Sequence, residues 1–306
     1  MRKIIGIGET ILDIVFKNDQ PLKAVPGGST FNATISVGRA GVPCMLVSEV
    51  GDDHVGDIIT RFLKDNGVAT DYVYRHIGTQ SHVSLAFLNE RNDAEYSFYK
   101  HHGALAMPEA MPEIGRGDIV IFGSFYAINP VIRDYTRRFL QTARDNGAIL
   151  YYDVNFRAPH VKDLPDTFGN IEENMRLATV VRGSAEDFSI LFNCDNADEV
   201  YDKHISKYCG QFIYTDADKP VQLRTATVRA SFPAHSIETV STIGAGDNFN
   251  AGFCYGLFKN GIESSEQLAT LNHEEWGSLI AMGQRFSSAV CQSLDNYISR
   301  EYAESL

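Results

Sequence analysis

The part of the chain with the clearest chemical potential is the heptapeptide STIGAGD, residues 241–247. Gly244 and Gly246 permit backbone angles that other residues resist, and Ala245 keeps the turn narrow enough for an anion to reach several N–H groups. The apolar run FNAGFCYGLF that follows predicts a helix, whose N-terminus would direct a partial positive charge towards the turn. The turn is therefore a candidate phosphate site.

Asp247 lies directly after this turn. A carboxylate at that position can accept the proton of a hydroxyl, while the neighbouring N–H groups stabilise a phosphoryl group in transfer. The alternative is that Asp247 only caps the helix, as aspartates often do. The heptapeptide alone gives the two roles equal weight.

The elements that would position this turn follow an alternating pattern. Short apolar runs rich in β-branched residues predict buried strands at 3–9, 44–51, 117–124, 148–155, 177–183 and 211–216. Helix-length stretches lie between several of them, at 55–66, 130–146 and 197–209. Strands that alternate with helices predict an α/β fold, with a mostly parallel sheet covered on both faces.

One region breaks this alternation. Residues 71–100 hold two runs of alternating apolar residues joined by the polar turn NERNDA, which indicates a β-hairpin. Together with residues 20–28, the hairpin predicts a small antiparallel flap. The segment 27–41 stays open, because its apolar residues fit a strand or a helix equally well. Neither a repeat nor a composition shift marks a second domain, so we expect a single domain over 1–306.

The composition limits the partners. The formal charge of −12 and the lack of a cluster of Lys and Arg argue against nucleic-acid binding. Glu9 and Asp13 interrupt the apolar N-terminus, which is unlike a signal peptide and far short of a membrane span. The five cysteines are scattered and lack metal-ligand spacing, which favours a reducing compartment. We therefore expect a cytoplasmic protein without a membrane or nucleic-acid partner.

The segments GETILDIV, GGSTFN, YYDVNFR and STIGAGDNFNAGF occur in this order along the chain. With them, the sequence resembles the PfkB (ribokinase-like) family of carbohydrate kinases over essentially its whole length, and the fructokinase branch most closely. The resemblance implies that Asp13, Gly28 and Asn32 bind the sugar. It also implies that Asp247 is the catalytic base and that residues 244–246 bind the phosphoryl group.

The resemblance extends to the fold and the lid. It implies a three-layer α/β/α sandwich in which 27–41 is helical, with a β lid formed by about 14–28 and 71–103. Phe87, Phe98 and Tyr99 would be lid aromatics, with Phe87 and Phe98 facing the sugar, although at least one of the three is expected to be only a cross-strand pair. Arg157 of the D-x-N-x-R element is expected to bind either phosphate, as part of the substrate site, or a carboxylate.

The sequence departs from the family pattern on the nucleotide and ion side. Ser241 replaces an aspartate that helps to hold a monovalent cation in many members, so we do not expect cation activation. The N-x-x-E element falls at residues 184–187, where Asp187 and Glu186 are the candidate Mg²⁺ ligands and Asp187 also a nucleotide contact. The remaining candidate ATP contacts are Thr242 and, within TDADKP, Thr215 and Lys219.

The resemblance predicts a kinase that transfers the γ-phosphoryl group of ATP·Mg²⁺ to fructose or to a related ketose or sugar acid. Two alternatives remain open, a sugar-binding pseudokinase with a regulatory role and a nucleoside kinase. Family members often dimerise through their lids, and the apolar alternation at 83–88 allows a homodimer here.

Overall fold

A computed structural model describes residues 1–90, 94–99, 107, 110–234 and 236–306, and a central sheet collects the apolar runs of the sequence. Within these residues the sheet has ten strands: β1 (Ile4–Ile7), β4 (Cys44–Gly51), β5 (Val68–Ala69), β6 (Val73–His76), β9 (Ile119–Gly123), β10 (Ile149–Asp153), β11 (Val180–Ser184), β12 (Phe212–Thr215), β13 (Val221–Arg224) and β14 (Arg229–Phe232). Their order is β14-β13-β12-β11-β10-β9-β1-β4-β5, and β6 also pairs with β4. All neighbouring strands from β12 to β5 in this order pair in parallel, and so do β6 and β4. At the other edge, β13 pairs antiparallel with β12, and β14 pairs antiparallel with β13.

Helices cover both faces of the sheet. Alternate residues of β9 point to opposite sides: Ile119 and Ile121 join one apolar core, and Val120 and Phe122 join the other. The first core is completed by α1 (Ser29–Arg39), α2 (His54–Asp65), α7 (Ala245–Lys259) and α9 (His273–Cys291). The second is completed by α3 (Arg133–Asp145), α4 (Leu164–Leu177) and α5 (Ala185–Phe192). The result is three layers, α/β/α, as predicted.

Shorter helical elements complete the description. They are the α-helices α6 (Ala197–Val200), α8 (Ser265–Ala269) and α10 (Arg300–Glu304), the 3₁₀ turns Phe125–Ile128 and Ala158–Asp163, and the π-helical turn Tyr201–Ile205. None of the helices in the described part of the chain is long and apolar enough to cross a membrane.

A second, four-stranded sheet projects from the body, and we call it the lid. Its strands are β2 (Ile11–Lys17), β3 (Gln20–Gly27), β7 (Val83–Leu88) and β8 (Ala94–Tyr99), in the order β3-β2-β7-β8. The predicted hairpin is present as the antiparallel pair β7–β8, but β2 and β7 pair in parallel, so the lid is a mixed sheet. Residues 91–93 and 100–103, which belong to the predicted hairpin turn and lid, lie outside the described residues.

The structure assigns one open segment, and two predictions of elements need correction. The segment left open by its pattern is helix α1, as the family resemblance implied. The helix predicted over 197–209 is short, because α6 passes into the π-helical turn at Tyr201. The predicted lid range 71–103 includes β6, which instead pairs with β4 of the central sheet, so the second part of the lid begins at Val83.

Candidate active site

The turn before helix α7 is fixed by glycine geometry and by one asparagine. Gly244 occupies the N-cap position with φ of 77°, and a Cβ there would lie 2.8 Å from the Asn296 carbonyl oxygen. The side-chain amide of Asn248 donates to the carbonyl oxygens of Gly244 and Asn296, at 2.8 Å each. The N–H of Ala245 donates to the Thr242 carbonyl at 3.2 Å. Of the three residues expected to offer N–H groups to an anion, Ala245 is therefore already engaged.

Asp247 lies in the first turn of α7 and is held by two side chains of α1. Ser29 Oγ donates to Asp247 Oδ1 at 2.7 Å, and Asn32 Nδ2 donates to Asp247 Oδ2 at 2.9 Å. Burial raises the pKa of the Asp247 carboxyl to about 6, and these two hydrogen bonds act in the opposite direction. The N-cap residue of α7 is Gly244 and not Asp247, so the simple capping role is wrong.

Two adjacent glycines bring the lid against the body. Gly28 has φ of 127°, and a Cβ there would lie 2.3 Å from the Glu9 carbonyl oxygen. A Cβ at Gly27 would lie 2.7 Å from Asp13 Oδ2, so the Asp13 carboxyl packs directly on the Gly27 backbone. Ser84 of β7 donates a short hydrogen bond to Asp13 Oδ1. The GG doublet therefore places Asp13 and Gly28, the two predicted sugar residues, beside each other.

The Asp13 carboxyl is also poorly solvated. Burial raises its pKa to about 6, the hydrogen bond from Ser84 lowers it, and the neighbouring Glu9 raises it further. Asp13 lines a cleft between the lid and the loop that precedes α7; its other walls include Val25, Ala86, Ser241, Ile243 and Asn296. The cleft has mostly apolar walls, one partly buried carboxylate and Lys23, so its polar groups can orient a small ligand that carries hydroxyl groups.

Asn32 lies beside the candidate base. Its Nδ2 is used by Asp247, whereas its Oδ1 is buried and has no hydrogen-bond partner among the described residues. A buried amide oxygen without a partner is costly unless a ligand or water supplies a donor. A sugar hydroxyl would supply that donor within reach of Asp247.

A buried polar network lies beneath the turn, across the carboxyl ends of β10, β11 and β12. Arg182 donates to Asp153 Oδ1 at 2.9 Å and to Thr215 Oγ1 at 2.6 Å. Asp153 Oδ2 accepts from Asn250 Nδ2 at 2.7 Å, and Tyr151 donates to Asn250 Oδ1 at 3.0 Å. Thr215, predicted to contact ATP, therefore has its hydroxyl oxygen bound to an arginine.

The predicted ion ligands separate into two environments. Asp187 is buried, and its two oxygens accept from the Phe156 N–H and from the N–H and hydroxyl of Ser184, forming a capping box for α5. The structure therefore does not support Asp187 as a ligand of ATP or Mg²⁺. Glu186 is exposed and lies 3.4 Å from Arg157, so a carboxylate is the partner of Arg157 in this structure.

The other predicted nucleotide residues lie at the surface. Lys219 is exposed and forms an ion pair of 2.8 Å with Asp216, which precedes it by one turn. Thr242 is exposed, and its carbonyl accepts the N–H of Ala245. Both residues are therefore accessible to a ligand. The hydrogen bonds shown between the described residues do not connect either of them to Asp247.

The lid aromatics point in different directions. Phe98 pairs with Ser84, which in turn pairs with Asp13, so Phe98 lies on the same lid face as Asp13. Phe87 is three residues from Ser84 and therefore on the opposite face, where it stacks on Phe16 with ring centroids 5.0 Å apart. The structure does not bring Phe87 to the candidate sugar site. It is a cross-strand pair, the outcome expected for at least one of the aromatics.

The prediction from sequence missed four residues of the site: Ser29, Ser84, Arg182 and Asn248. Ser29 had a local signal, because it follows Gly28 and lies one helical turn before Asn32, on the same face of α1. Arg182 and Ser84 had none, because their partners are distant in sequence and meet only through the sheet register.

Gly244→Ala is expected to weaken both the fold and the site. A non-glycine residue at this φ costs about 1 to 2 kcal/mol, and the clash with Asn296 would displace the turn. Chemical denaturation should show the lower stability, and kcat should fall with it. Gly261→Ala is the matched control, since Gly261 has φ of 66° with nothing within 4 Å of a Cβ. Normal kcat in Gly244→Ala would contradict this role of the turn.

Comparisons with known proteins test the family resemblance. The family described as pfkB family carbohydrate kinase matches residues 1–301. The chain belongs to the PfkB family of carbohydrate kinases. This PfkB kinase is 27% identical to probable fructokinase-5 of Arabidopsis thaliana over 273 residues, covering 84% of the chain and 83% of the relative. It is 24% identical to a fructokinase of Rhizobium leguminosarum bv. trifolii over 279 residues, covering 89% and 84%.

Solved structures show the same fold. Aminoimidazole riboside kinase from Salmonella enterica, complexed with aminoimidazole riboside and an ATP analogue, superposes with a TM-score of 0.83 at 21% identity, covering 99% of each chain. Fructokinase with bound ATP from Xylella fastidiosa gives 0.82 at 21% identity, covering 100% of this chain and 98% of the other. The fold is therefore the ribokinase-like sandwich, and the chain is a sugar kinase whose family uses ATP with a divalent metal.

Proposed function

We propose that this kinase transfers the γ-phosphoryl group of ATP to a primary hydroxyl of fructose or a similar ketose, with Asp247 as the general base. The observation that carries the proposal is the Asp247 carboxylate, partly buried at the N-terminus of α7 and held by Ser29 and Asn32. A sugar hydroxyl is a poor nucleophile at neutral pH, so a positioned carboxylate must accept its proton as the new bond forms.

The sugar would bind between the lid and the body. Asp13 accepts hydrogen bonds from hydroxyls at the lid side, and the open Oδ1 of Asn32 accepts another beside the base. These contacts hold one hydroxyl near Asp247, which supplies the positioning on which phosphoryl transfer mostly depends. The lid excludes water from the cleft and so limits hydrolysis of ATP.

The nucleotide side fits ATP through the turn at Gly244 and Gly246 and the partial positive charge of the α7 N-terminus. Thr242 and Lys219 are exposed and available for the phosphates. Mg²⁺, when bound, would offset the negative charge of the phosphates, and Glu186 is the carboxylate that the structure leaves accessible for it. Because Ser241 replaces the family aspartate, we propose activity without a monovalent cation.

The pH dependence of kcat/KM follows from the carboxyls of Asp13 and Asp247. Asp247 must be deprotonated to accept a proton, and Asp13 must be deprotonated to accept two hydroxyl donors. Since burial raises the pKa of both to about 6, kcat/KM for the sugar should fall as the pH drops below about 6. Initial rates between pH 5 and pH 8, flanking that value, test this with saturating ATP. A profile that is flat down to pH 5 would count against both assignments.

A phosphorylation assay over hexoses, pentoses, sugar acids and nucleosides identifies the acceptor. We expect a neutral ketose to give the highest kcat/KM, because the sugar side presents Asp13 and Asp247 as carboxylates. A sugar acid as the best substrate would contradict the choice of a ketose but not the phosphoryl transfer.

A riboside kinase is the second candidate function. Aminoimidazole riboside kinase occurs among both the curated relatives and the structural neighbours, at 24% and 21% identity. Including aminoimidazole riboside in the same assay decides between the two, since only one of the acceptors should give a high kcat/KM.

A sugar-binding pseudokinase is tested by a different measurement. For a kinase, isothermal titration with ATP·Mg²⁺, with and without saturating sugar, should show nucleotide binding. No heat under either condition would favour the binding role.

Two wider properties are part of the proposal. The lid face that carries Phe16 and Phe87 is apolar, and Phe87 is 37% exposed, which supports a homodimer through the lids. Sedimentation velocity at micromolar concentration tests this, and a monomer would contradict it. All five cysteines are free and buried, which supports a cytoplasmic location.

A further inference from the structure

Arg182 is a buried cation without a role in the mechanism proposed above. Only 7% of its surface is exposed, and it lies on β11 beneath the start of α7. A Cβ added to Gly246 would lie 3.0 Å and 3.2 Å from its two terminal guanidinium nitrogens. The guanidinium therefore packs directly against the turn that is expected to bind the phosphoryl group, and a side chain at Gly246 would require it to shift by a few tenths of an ångström.

The contacts of Arg182 fix its position from three sides. One terminal nitrogen binds Asp153 of β10, the other binds Thr215 of β12, and the guanidinium carbon lies 5.9 Å from the centre of the Phe249 ring of α7. Its Nε is buried and has no hydrogen-bond partner among the described residues. Such a clamp joins the ends of three strands to the helix that carries the base.

The partner of Arg182 also acts on the base. Asp153 is buried, and its negative charge lies close enough to Asp247 to raise the pKa of that carboxyl, whereas Arg157 lowers it. The ion pair with Arg182 offsets the charge of Asp153. The other side chains that act on Asp247, Ser29 and Asn32, do not titrate.

We propose that Arg182 is a positioning residue for phosphoryl transfer, which holds the Gly246 turn in place and neutralises Asp153 beneath Asp247. The inference rests on the proposed function of Asp247 as base. Arg182 thereby supplies a fixed positive charge behind the phosphate turn, beside Thr215 of the TDADKP segment. It needs no contact with ATP to do so.

Three variants separate this role from a merely structural one. Arg182→Met leaves Asp153 as an uncompensated buried carboxylate, so the acidic limb of the pH–kcat profile should move upwards by about one pH unit. Asp153→Asn removes the negative charge beside Asp247 and should move the limb downwards. The double variant, Asp153→Asn with Arg182→Met, removes both charges and should return the limb towards the wild-type position.

The kinetic constants provide a second readout. KM for ATP should rise about tenfold or more in Arg182→Met, because the turn loses its support, while KM for the sugar changes less than about threefold. Arg182→Lys should recover part of the loss, since it keeps the charge but not the two-sided contact. Equal pH limbs in all variants, with an unchanged KM for ATP, would overturn the proposal.

One measurement does not need turnover or a known substrate. In protein labelled with [4-¹³C]aspartate, the carboxyl carbon of Asp247, assigned through Asp247→Asn, reports its pKa directly. Opposite shifts of this pKa in Asp153→Asn and Arg182→Met would support the proposal even if the assigned sugar proved wrong. If the pKa of Asp247 is the same in the wild type, in both folded single variants and in the folded double variant, the proposal for Arg182 is refuted. The proposed kinase function would not be affected by that result.

Discussion

Replacing Asp247 with asparagine should lower kcat for sugar phosphorylation by about 10³- to 10⁴-fold. Asparagine keeps the shape of the side chain but cannot accept the hydroxyl proton, and general-base catalysis contributes an acceleration of about this size. Asp247 is used mainly in the transition state, so the sugar should bind with nearly unchanged affinity. Steady-state kinetics and isothermal titration with the sugar measure the two quantities separately.

The stability of this variant provides an internal control. The folded-state pKa of Asp247 is about 6, above the ordinary value of 3.8, so the folded protein binds the proton more tightly than the unfolded chain. The contribution of Asp247 to folding therefore becomes less favourable as the pH rises from about 4 to about 6. At pH 7, Asp247→Asn should be at least as stable as the wild type. A variant that loses activity because it unfolds would not meet this expectation.

Ser29→Ala and Asp145→Asn are the comparison variants for Asp247→Asn. Ser29→Ala removes one of the two hydrogen bonds that orient the base and should lower kcat by about tenfold. Asp145 lies exposed at the end of α3, so Asp145→Asn should leave the kinetics unchanged. Similar losses in Asp247→Asn and Ser29→Ala would mean that Asp247 orients the site but does not accept the proton.

Replacing Asp13 with asparagine should lower kcat/KM for the sugar by about 100-fold. A carboxylate that accepts two hydroxyl donors contributes about 1.5 to 3 kcal/mol per bond, and an amide can accept only through one of its two terminal atoms. Most of the loss should appear in KM for the sugar, while KM for ATP changes little. Kinetics with each substrate varied in turn provide the measurement.

Asp19→Asn is the matched control for Asp13→Asn. It is the same substitution in the same lid, but Asp19 is exposed in the turn between β2 and β3, away from the cleft. Its kinetics should equal those of the wild type. Equal kinetics in Asp13→Asn would remove Asp13 from the sugar site, and a change confined to KM for ATP would move it to the nucleotide side.

The sequence predicted what depends on local pattern and on motif. The six apolar runs became six strands of the central sheet because strands buried on both faces must be continuously apolar. Helix α4 was missed because Pro165 at its start and Gly169 inside it resemble breakers, although Pro is favourable in the first turn. Periodicity could not decide between helix and strand for segment 27–41. Every residue from Thr30 to Val37 is buried, so this part of the helix has no solvent-exposed face that would show in the sequence pattern.

The residues of the candidate site also fall into two groups, those identified by a local motif and those that depend on sheet register. Asp13, Gly28, Asn32 and Asp247 were found because each belongs to a short motif, and the structure brings them to one cleft and the adjoining helix starts. Arg182 and Ser84 depend on sheet register, which residues far apart in sequence determine together. The position of Phe87 also depends on strand register, because a shift of one residue would move its side chain to the opposite face of the lid.

The central claim is that Asp247 deprotonates a sugar hydroxyl during transfer from ATP. The most direct test follows product formation by ³¹P NMR with fructose and ATP·Mg²⁺, for wild-type protein and Asp247→Asn at equal concentration and pH 7.5. We expect a sugar phosphate to accumulate with the wild type and to form at least about 10³-fold more slowly with a folded, sugar-binding variant. Equal rates for the two proteins would contradict the claim.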